Sequence, residues 1–340
     1  MNSENIMEHH YKKPSFYSPV LDLARGGAAF IVFFGHLFMF FPTIDLNHNR
    51  LLAPFTTGAA CVSFFFTLSG YVLTKSFRKS KWKISLTSRV IRLYPIYFAC
   101  WLIPLLGAYV TQTGHSLNKI GYFLGLFAMQ SFSKVHYLDQ PNPALWSLSV
   151  EIWLSPLFFF VKRFSSQSLT LMTVIALGFN FVHLNVPYSG SISFFLLGIL
   201  ISKIDYFLDL RLRRVLCFIL LILYFIFALP LRSSPSNPAT VSFLFVWIFC
   251  LMLVLTSMSV PIQFNKIARI IGTRSYCFYA LHLPVIMYFD HLYIKAKNEH
   301  LVFFLIFVFA LVTGGTEILF RLIDAPSIKF ARKLRMSHEN

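Results

Sequence analysis

Arg25 and His36 are residues that could do chemistry in a place where such residues are costly. They lie in Leu21 to Phe41, LDLARGGAAFIVFFGHLFMFF, a stretch apolar and long enough to cross a membrane. They are eleven positions apart, roughly 16 Å along a helix axis. That spacing puts a cation near one membrane face and a titratable imidazole near the midplane, somewhat toward the outer half. A polar group at depth costs on the order of several kcal/mol, so an ionisable residue inside a span is a functional candidate by default. The structural alternative is a histidine bonded to the backbone of a neighbouring helix. For Arg25 it is a local ion pair with Asp22, three residues earlier.

Glu151, in NPALWSLSVEIWLSP (142–156), is the second such residue. It sits roughly 10 Å from the outer end of its apolar run by helix rise. The shared depth with His36 allows a carboxylate–imidazole pair, which would fix the ring's tautomer and raise its basicity. The structural alternative is a buried glutamate hydrogen-bonded by Ser147, Ser149 or Trp146.

Other groups are supporting candidates. Ser69 precedes Gly70 in FFFTLSGYVLTKSF, where small residues let helices approach closely. Arg89 and Arg92 in SRVIRLYPIYF share a face at the start of a span, and two guanidiniums suit a phosphate as well as plain inner-side anchoring. Arg78 lies in the same basic loop. Tyr276, Tyr279 and His282 in GTRSYCFYALHLPVI follow roughly one helix face; the structural alternative is an aromatic interfacial belt with one satisfied histidine. Glu317 and Arg321 read as an i, i+4 structural pair. There is no HExxH, GxSxG or Walker loop. The five cysteines and the remaining histidines show no ligand spacing, so neither a metal nor a disulfide is expected.

The elements that position these groups are membrane helices. Of 340 residues 56% are hydrophobic, 40 are phenylalanine and 13% are charged; soluble domains are nearer a quarter charged. Apolar runs at 20–42, 54–74, 90–111, 144–161, 168–184, 188–203, 215–231, 240–259, 276–294 and 300–320 predict an all-α integral membrane protein, a bundle of about ten transmembrane helices. Residues 1–19 read as a cytoplasmic tail, 20–320 as one transmembrane domain and 321–340 as a basic cytoplasmic tail. No cleavable signal peptide is expected, since the first seventeen residues lack an apolar core. The net charge is +17. Its excess lies in short loops, which argues for membrane orientation rather than nucleic acid. If Ile120–Gln130 does not cross, every lysine and arginine except Arg50, Lys119, Lys134, Arg232, Lys295 and Lys297 falls on the cytoplasmic side. If it crossed, the bias would vanish. That piece therefore reads as a surface or re-entrant helix, and both termini are cytoplasmic.

Taken in order, Arg25 with His36, FFTLSGYVL, the Arg89/Arg92 pair, Glu151 in WSLSVEIW, SYCFYALHLP and the terminal FRLIDAP resemble the bacterial acyltransferase-3 family of multi-span membrane O-acyltransferases. The resemblance covers essentially the whole chain. Asp324 stands where the family commonly has glutamate before the terminal proline. The chain resembles the stand-alone members, without a fused esterase-like domain. The resemblance implies a cytoplasmic acyl-CoA donor, acetyl-CoA above all, and no permanently bound cofactor. It implies a hydroxyl acceptor on a glycan or glycolipid and residence in the bacterial inner (plasma) membrane. On that basis Arg25, Arg89, Arg92 and Arg78 are expected to bind the CoA phosphates. His36 acts as general base or transient acyl carrier, Glu151 supports its imidazole, and Ser69, Trp146, Tyr276, Tyr279 and His282 line the channel or bind the acceptor. The rival is a proton-coupled transporter or flippase with a His36/Glu151 relay. A passive scaffold would leave both buried ionisable groups unexplained.

Overall fold

The computed structural model describes residues 18–40, 58–77, 81–111, 119–129, 140–181, 189–204, 262–295 and 301–337, with isolated positions between 211 and 256. Helix α1 spans Pro19–Phe40, with proline at its first position and Asp22 in its first turn, both favoured at an N-terminus. Then come α2 (Gly58–Ser76), α3 (Trp82–Thr111), α4 (Lys119–Leu126), α5 (Leu145–Val161), α6 (Ser166–Phe181) and α7 (Ser189–Ile204). A 3₁₀ turn, Ile262–Phe264, leads into α8 (Asn265–Lys295). After α9 (Leu301–Leu319), a π-helical turn, Phe320–Asp324, passes into α10 (Ala325–Met336). Every element among the described residues is helical. Helix α1 and the continuous run Leu301–Met336 are long and apolar enough to cross a membrane; Leu145–Val161, Ser166–Gly178 and Gly190–Lys203 are shorter apolar helices. The expected spans 215–231 and 240–259 lie largely outside the described residues.

Contacts fix the relative directions of the helices. Along α1 and α8 the pairs run Gly26 with Ile271, Phe33 with Phe278, and His36 with His282. The numbers rise together, so the two helices are parallel and begin at the same end. In α3 and α5 they run oppositely: Arg89 reaches Ser155 and Glu151, while Asn142, just before α5, reaches Cys100. The end of α3 and the start of α5 therefore lie on one side, and α4 between them does not cross. With 8 residues it spans only about 12 Å. Its C-terminal end is closed by side chains, as the reading of a surface or re-entrant helix requires. The Tyr94 hydroxyl donates to the Leu126 carbonyl at 2.5 Å and that of Tyr97 to Gly125 at 2.8 Å. Ser149 and the Trp153 indole both donate to the Ala128 carbonyl, and Ala128 adopts φ 54° to turn the chain.

Small residues set the close crossings. Helices α2 and α7 meet backbone to backbone at Gly70 and Gly198. A Cβ on Gly70 would overlap the Phe195 carbonyl, and one on Gly198 the Thr67 carbonyl. The Ser69-Gly70 step thus packs as its sequence suggests.

Three boundaries differ from the sequence expectation. Helix α3 begins at Trp82 rather than 90, which sets Arg89 about 10 Å inside it. Helix α8 begins at Asn265 rather than 276, so His282 lies about 26 Å from its start. In both, a basic amphipathic turn extends an apolar span, and hydropathy stops where helix propensity does not. The segment read as a basic tail is helical to Met336 and packs against α3, with Ala331 and Asp324 buried.

Prolines inside α3 and α8 define a further link. Pro104 and Pro284 lack an N–H, so the carbonyls of Cys100 and Ala280, four residues earlier, lose their helical donors. The single carboxamide nitrogen of Asn142 donates to both, at 3.0 and 2.8 Å, while its oxygen accepts the Ala144 N–H at 3.2 Å. Asn142 is 0% exposed. Asn142→Leu should lower stability by about 1–3 kcal/mol for each orphaned carbonyl. Asn142→Asp, which keeps the acceptor and loses both donors, should be at least as damaging. Thermal unfolding of the detergent-purified protein checks both.

Candidate functional site

The histidine of α1 faces the histidine of α8. His282 Nε2 lies 3.2 Å from His36 Nδ1, and the ring centroids are 5.1 Å apart. His36 Nδ1 also lies 3.0 Å from the Val32 carbonyl, one turn earlier. His282 Nδ1 sits 2.5 Å from the Tyr279 carbonyl. His282 is fully buried and His36 partly so. Phe33 packs beside this contact, 5.3 Å from the Phe278 ring and 6.5 Å from the His282 ring. The parallel packing of α1 and α8 is what brings the two imidazoles level, since each sits about 26 Å from its helix start.

Glu151 does not reach His36. It lies with Arg89 in the half of the bundle nearer the start of α1. Arg89 Nη2 donates to Glu151 Oε1 at 2.7 Å and to Ser69 Oγ at 2.5 Å, and Ser69 Oγ in turn donates to Glu151 Oε1 at 3.0 Å. Arg89 Nε donates to Ser155 Oγ at 2.6 Å. The expected carboxylate–imidazole pair is thus replaced by two separate pairs, Glu151–Arg89 and His36–His282. The reason is the inward position of Arg89 on the longer α3. The nearest full positive charge claims the carboxylate, because an ion pair at this depth offsets desolvation better than a neutral imidazole would. The side chains of Arg89 and Glu151 are only 11% and 20% exposed. They tie α2, α3 and α5 together.

The remaining candidates distribute as follows. Arg25 pairs with Asp22 at 3.5 Å, the local arrangement their spacing suggested. Arg92 is exposed. Arg25, Arg89 and Arg92 lie within electrostatic range of one another, and Arg269 and Asp324 border the same region. Arg78 lies outside the described residues. The Tyr276 hydroxyl donates to the Leu93 carbonyl at 3.0 Å, which joins α8 to α3. The Tyr279 hydroxyl is 2.8 Å from Ser147 Oγ, and Trp146 packs near Phe66 at 6.2 Å between ring centres. Glu317 and Arg321 pair at 2.6 Å as their spacing implied. Arg274 joins them, donating to Glu317 at 2.5 and 3.1 Å.

Sequence reasoning passed over Ser155, Arg274 and Asn142. Only Asn142 carried a usable signal: prolines inside apolar spans, Pro104 and Pro284 among them, announce orphaned carbonyls and hence a need for buried donors. Among the described residues no group of three or more metal-ligating side chains occurs.

The described helices are apolar, hold a pair of imidazoles between α1 and α8, and gather guanidiniums toward one end. A family model described as an acyltransferase domain matches residues 19–315. The chain belongs to this family, acyltransferase-3, and is a membrane acyltransferase. Comparison with curated proteins and with solved structures finds no match.

Removing one partner of the Arg89–Glu151 pair leaves a buried charge unpaired. Arg89→Leu should therefore destabilise the protein by about 3–5 kcal/mol, and Arg89→Leu/Glu151→Leu should restore much of the loss. A double-mutant cycle read by thermal unfolding checks this. Equal melting of single and double variants would contradict it.

Proposed function

We propose that this protein transfers an acyl group, acetyl in the first instance, from cytoplasmic acyl-CoA to a hydroxyl of an envelope or lipid-linked sugar. The observation that carries the proposal is the position of His36. It lies roughly 16 Å along α1 from Arg25, inside an acyltransferase domain, beyond the arginine-rich end and paired with a second imidazole. CoA is a polyanion at one end and a thioester at the other. Arg92, exposed, and Arg25, close behind it, would hold the phosphates, with Arg89 adding field while bound to Glu151. The extended pantetheine arm would carry the thioester inward to His36.

The acceptor oxygen bonds to the thioester carbon and the C–S bond breaks. The hydroxyl proton moves to the His36 imidazole and then to the departing sulfur. The products are an ester and free CoA thiol. A two-step variant, in which His36 first carries the acyl group, uses the same imidazole and the same proton balance. The transporter alternative needs a His36–Glu151 relay, and the binding of Glu151 to Arg89 argues against it. In this reading the chain is a multi-pass protein of the bacterial inner membrane, with ten spans and both termini cytoplasmic.

The test is transfer of label from radiolabelled acetyl-CoA in membranes holding wild-type or His36→Ala protein, with total envelope glycan as acceptor. Wild type should form an alkali-labile glycan ester, and His36→Ala should lose at least about 100-fold of that rate. A variant rate within a few-fold of wild type would remove His36 from the chemistry. No acyl-CoA binding to the folded protein would remove the donor.

A further inference from the structure

We infer that His282 is the positioning residue for His36, and that it makes Nε2 of His36 the reacting nitrogen. The inference rests on the reading of His36 as the reacting imidazole and adds which atom reacts and what holds it.

The argument follows the protons. A carbonyl oxygen only accepts hydrogen bonds. The Tyr279 carbonyl is 2.5 Å from His282 Nδ1, so that nitrogen carries the hydrogen. A neutral imidazole has one N–H, and His282 Nε2 therefore presents a lone pair. It faces His36 Nδ1 at 3.2 Å. The other neighbour of His36 Nδ1 is the Val32 carbonyl at 3.0 Å. Both neighbours are acceptors, so His36 Nδ1 must carry a hydrogen. Among the described residues, one ring nitrogen of the four is left with an uncommitted lone pair, Nε2 of His36. It is the atom that can take a proton from a hydroxyl or bond to an acyl carbon.

His282 contributes more than the Val32 carbonyl does. That carbonyl already serves the backbone ladder of α1, where it accepts the amide hydrogen of His36. Among the described residues, the lone pair of His282 Nε2 has no competing donor of that kind. When His36 becomes cationic, by protonation or by acylation, the Nδ1–H bond to His282 becomes charge-assisted and strengthens. The arrangement does for His36 what a carboxylate does in a serine-protease triad, fixing the tautomer and supporting the charged ring. Here the support is neutral and anchored to a backbone carbonyl, which suits an apolar bundle in which the available carboxylate is bound to an arginine. His282 is 0% exposed, so it acts through His36 and not on substrate.

Two measurements on the full chain in lipid nanodiscs test this. The first needs no acyl donor: nitrogen NMR with ring-¹⁵N histidine. It should show coupling across the hydrogen bond between His36 Nδ1 and His282 Nε2, and an unprotonated His36 Nε2. A protonated His36 Nε2 would overturn the inference whatever reaction the protein performs. The second is turnover with acetyl-CoA and envelope glycan extract. His282→Leu should lower turnover by about 10–100-fold while leaving the donor KM within about threefold. His282→Gln places a carbonyl where the lone pair was and should recover most of the loss. Equal losses in the two variants would mean that His282 serves packing alone, and wild-type turnover in His282→Leu would mean that it positions nothing.

Discussion

Polar groups inside an apolar bundle must be answered by other protein groups, because lipid supplies no hydrogen bonds. Most of what is specific in this structure descends from that constraint. The carbonyls released by Pro104 and Pro284 are taken by Asn142. The charge of Glu151 is taken by Arg89, with Ser69 and Ser155 completing the set. The Tyr279 carbonyl takes the hydrogen of His282, which leaves a lone pair for His36. Each answer links helices far apart in sequence, so each functional side chain is held by the same contacts that hold the bundle.

The links also explain why the bundle has the directions it has. Helices α1, α3 and α8 run one way beside each other, with α5 and α9 against them. Leu281 packs against Gly315 while Arg274 reaches Glu317, which fixes the antiparallel run of α8 and α9. The starts of α1, α3 and α8 share one end, and Arg25, Arg89, Arg92 and Arg269 gather toward it. The imidazoles sit further along the parallel helices. In the proposed reaction, charge at one end would meet a polyanionic donor and the imidazoles inside would meet a neutral hydroxyl.

Glu151 shows how burial can separate two groups that sequence brings together. By residue spacing it shares a depth with His36. Three-dimensional packing gives it a guanidinium 2.7 Å away instead. A carboxylate spent on an ion pair ties α2, α3 and α5 and leaves the imidazole to another partner. Among the described residues the site therefore divides into a charged pair, Arg89–Glu151, and an imidazole pair, His36–His282.

The all-helical class, the apolar character of the spans and the non-crossing of 119–126 were legible in the sequence, because they depend on composition, local periodicity and the sidedness of lysine and arginine. The Asp22–Arg25 and Glu317–Arg321 pairs and the close packing at Gly70 were legible for the same reason: neighbours three or four residues apart on a helix meet whatever the tertiary fold does. His36, Glu151 and His282 could be named from sequence as costly residues, but their partners could not. Pairing across helices depends on which helices are adjacent, on their direction and on where each begins. Hydropathy misplaces the beginnings by eight residues in α3 and eleven in α8. The chain by itself determined which residues needed partners inside the membrane; only the tertiary structure decided which partners they found, because that choice follows the packing of side chains from 20 to 246 residues apart.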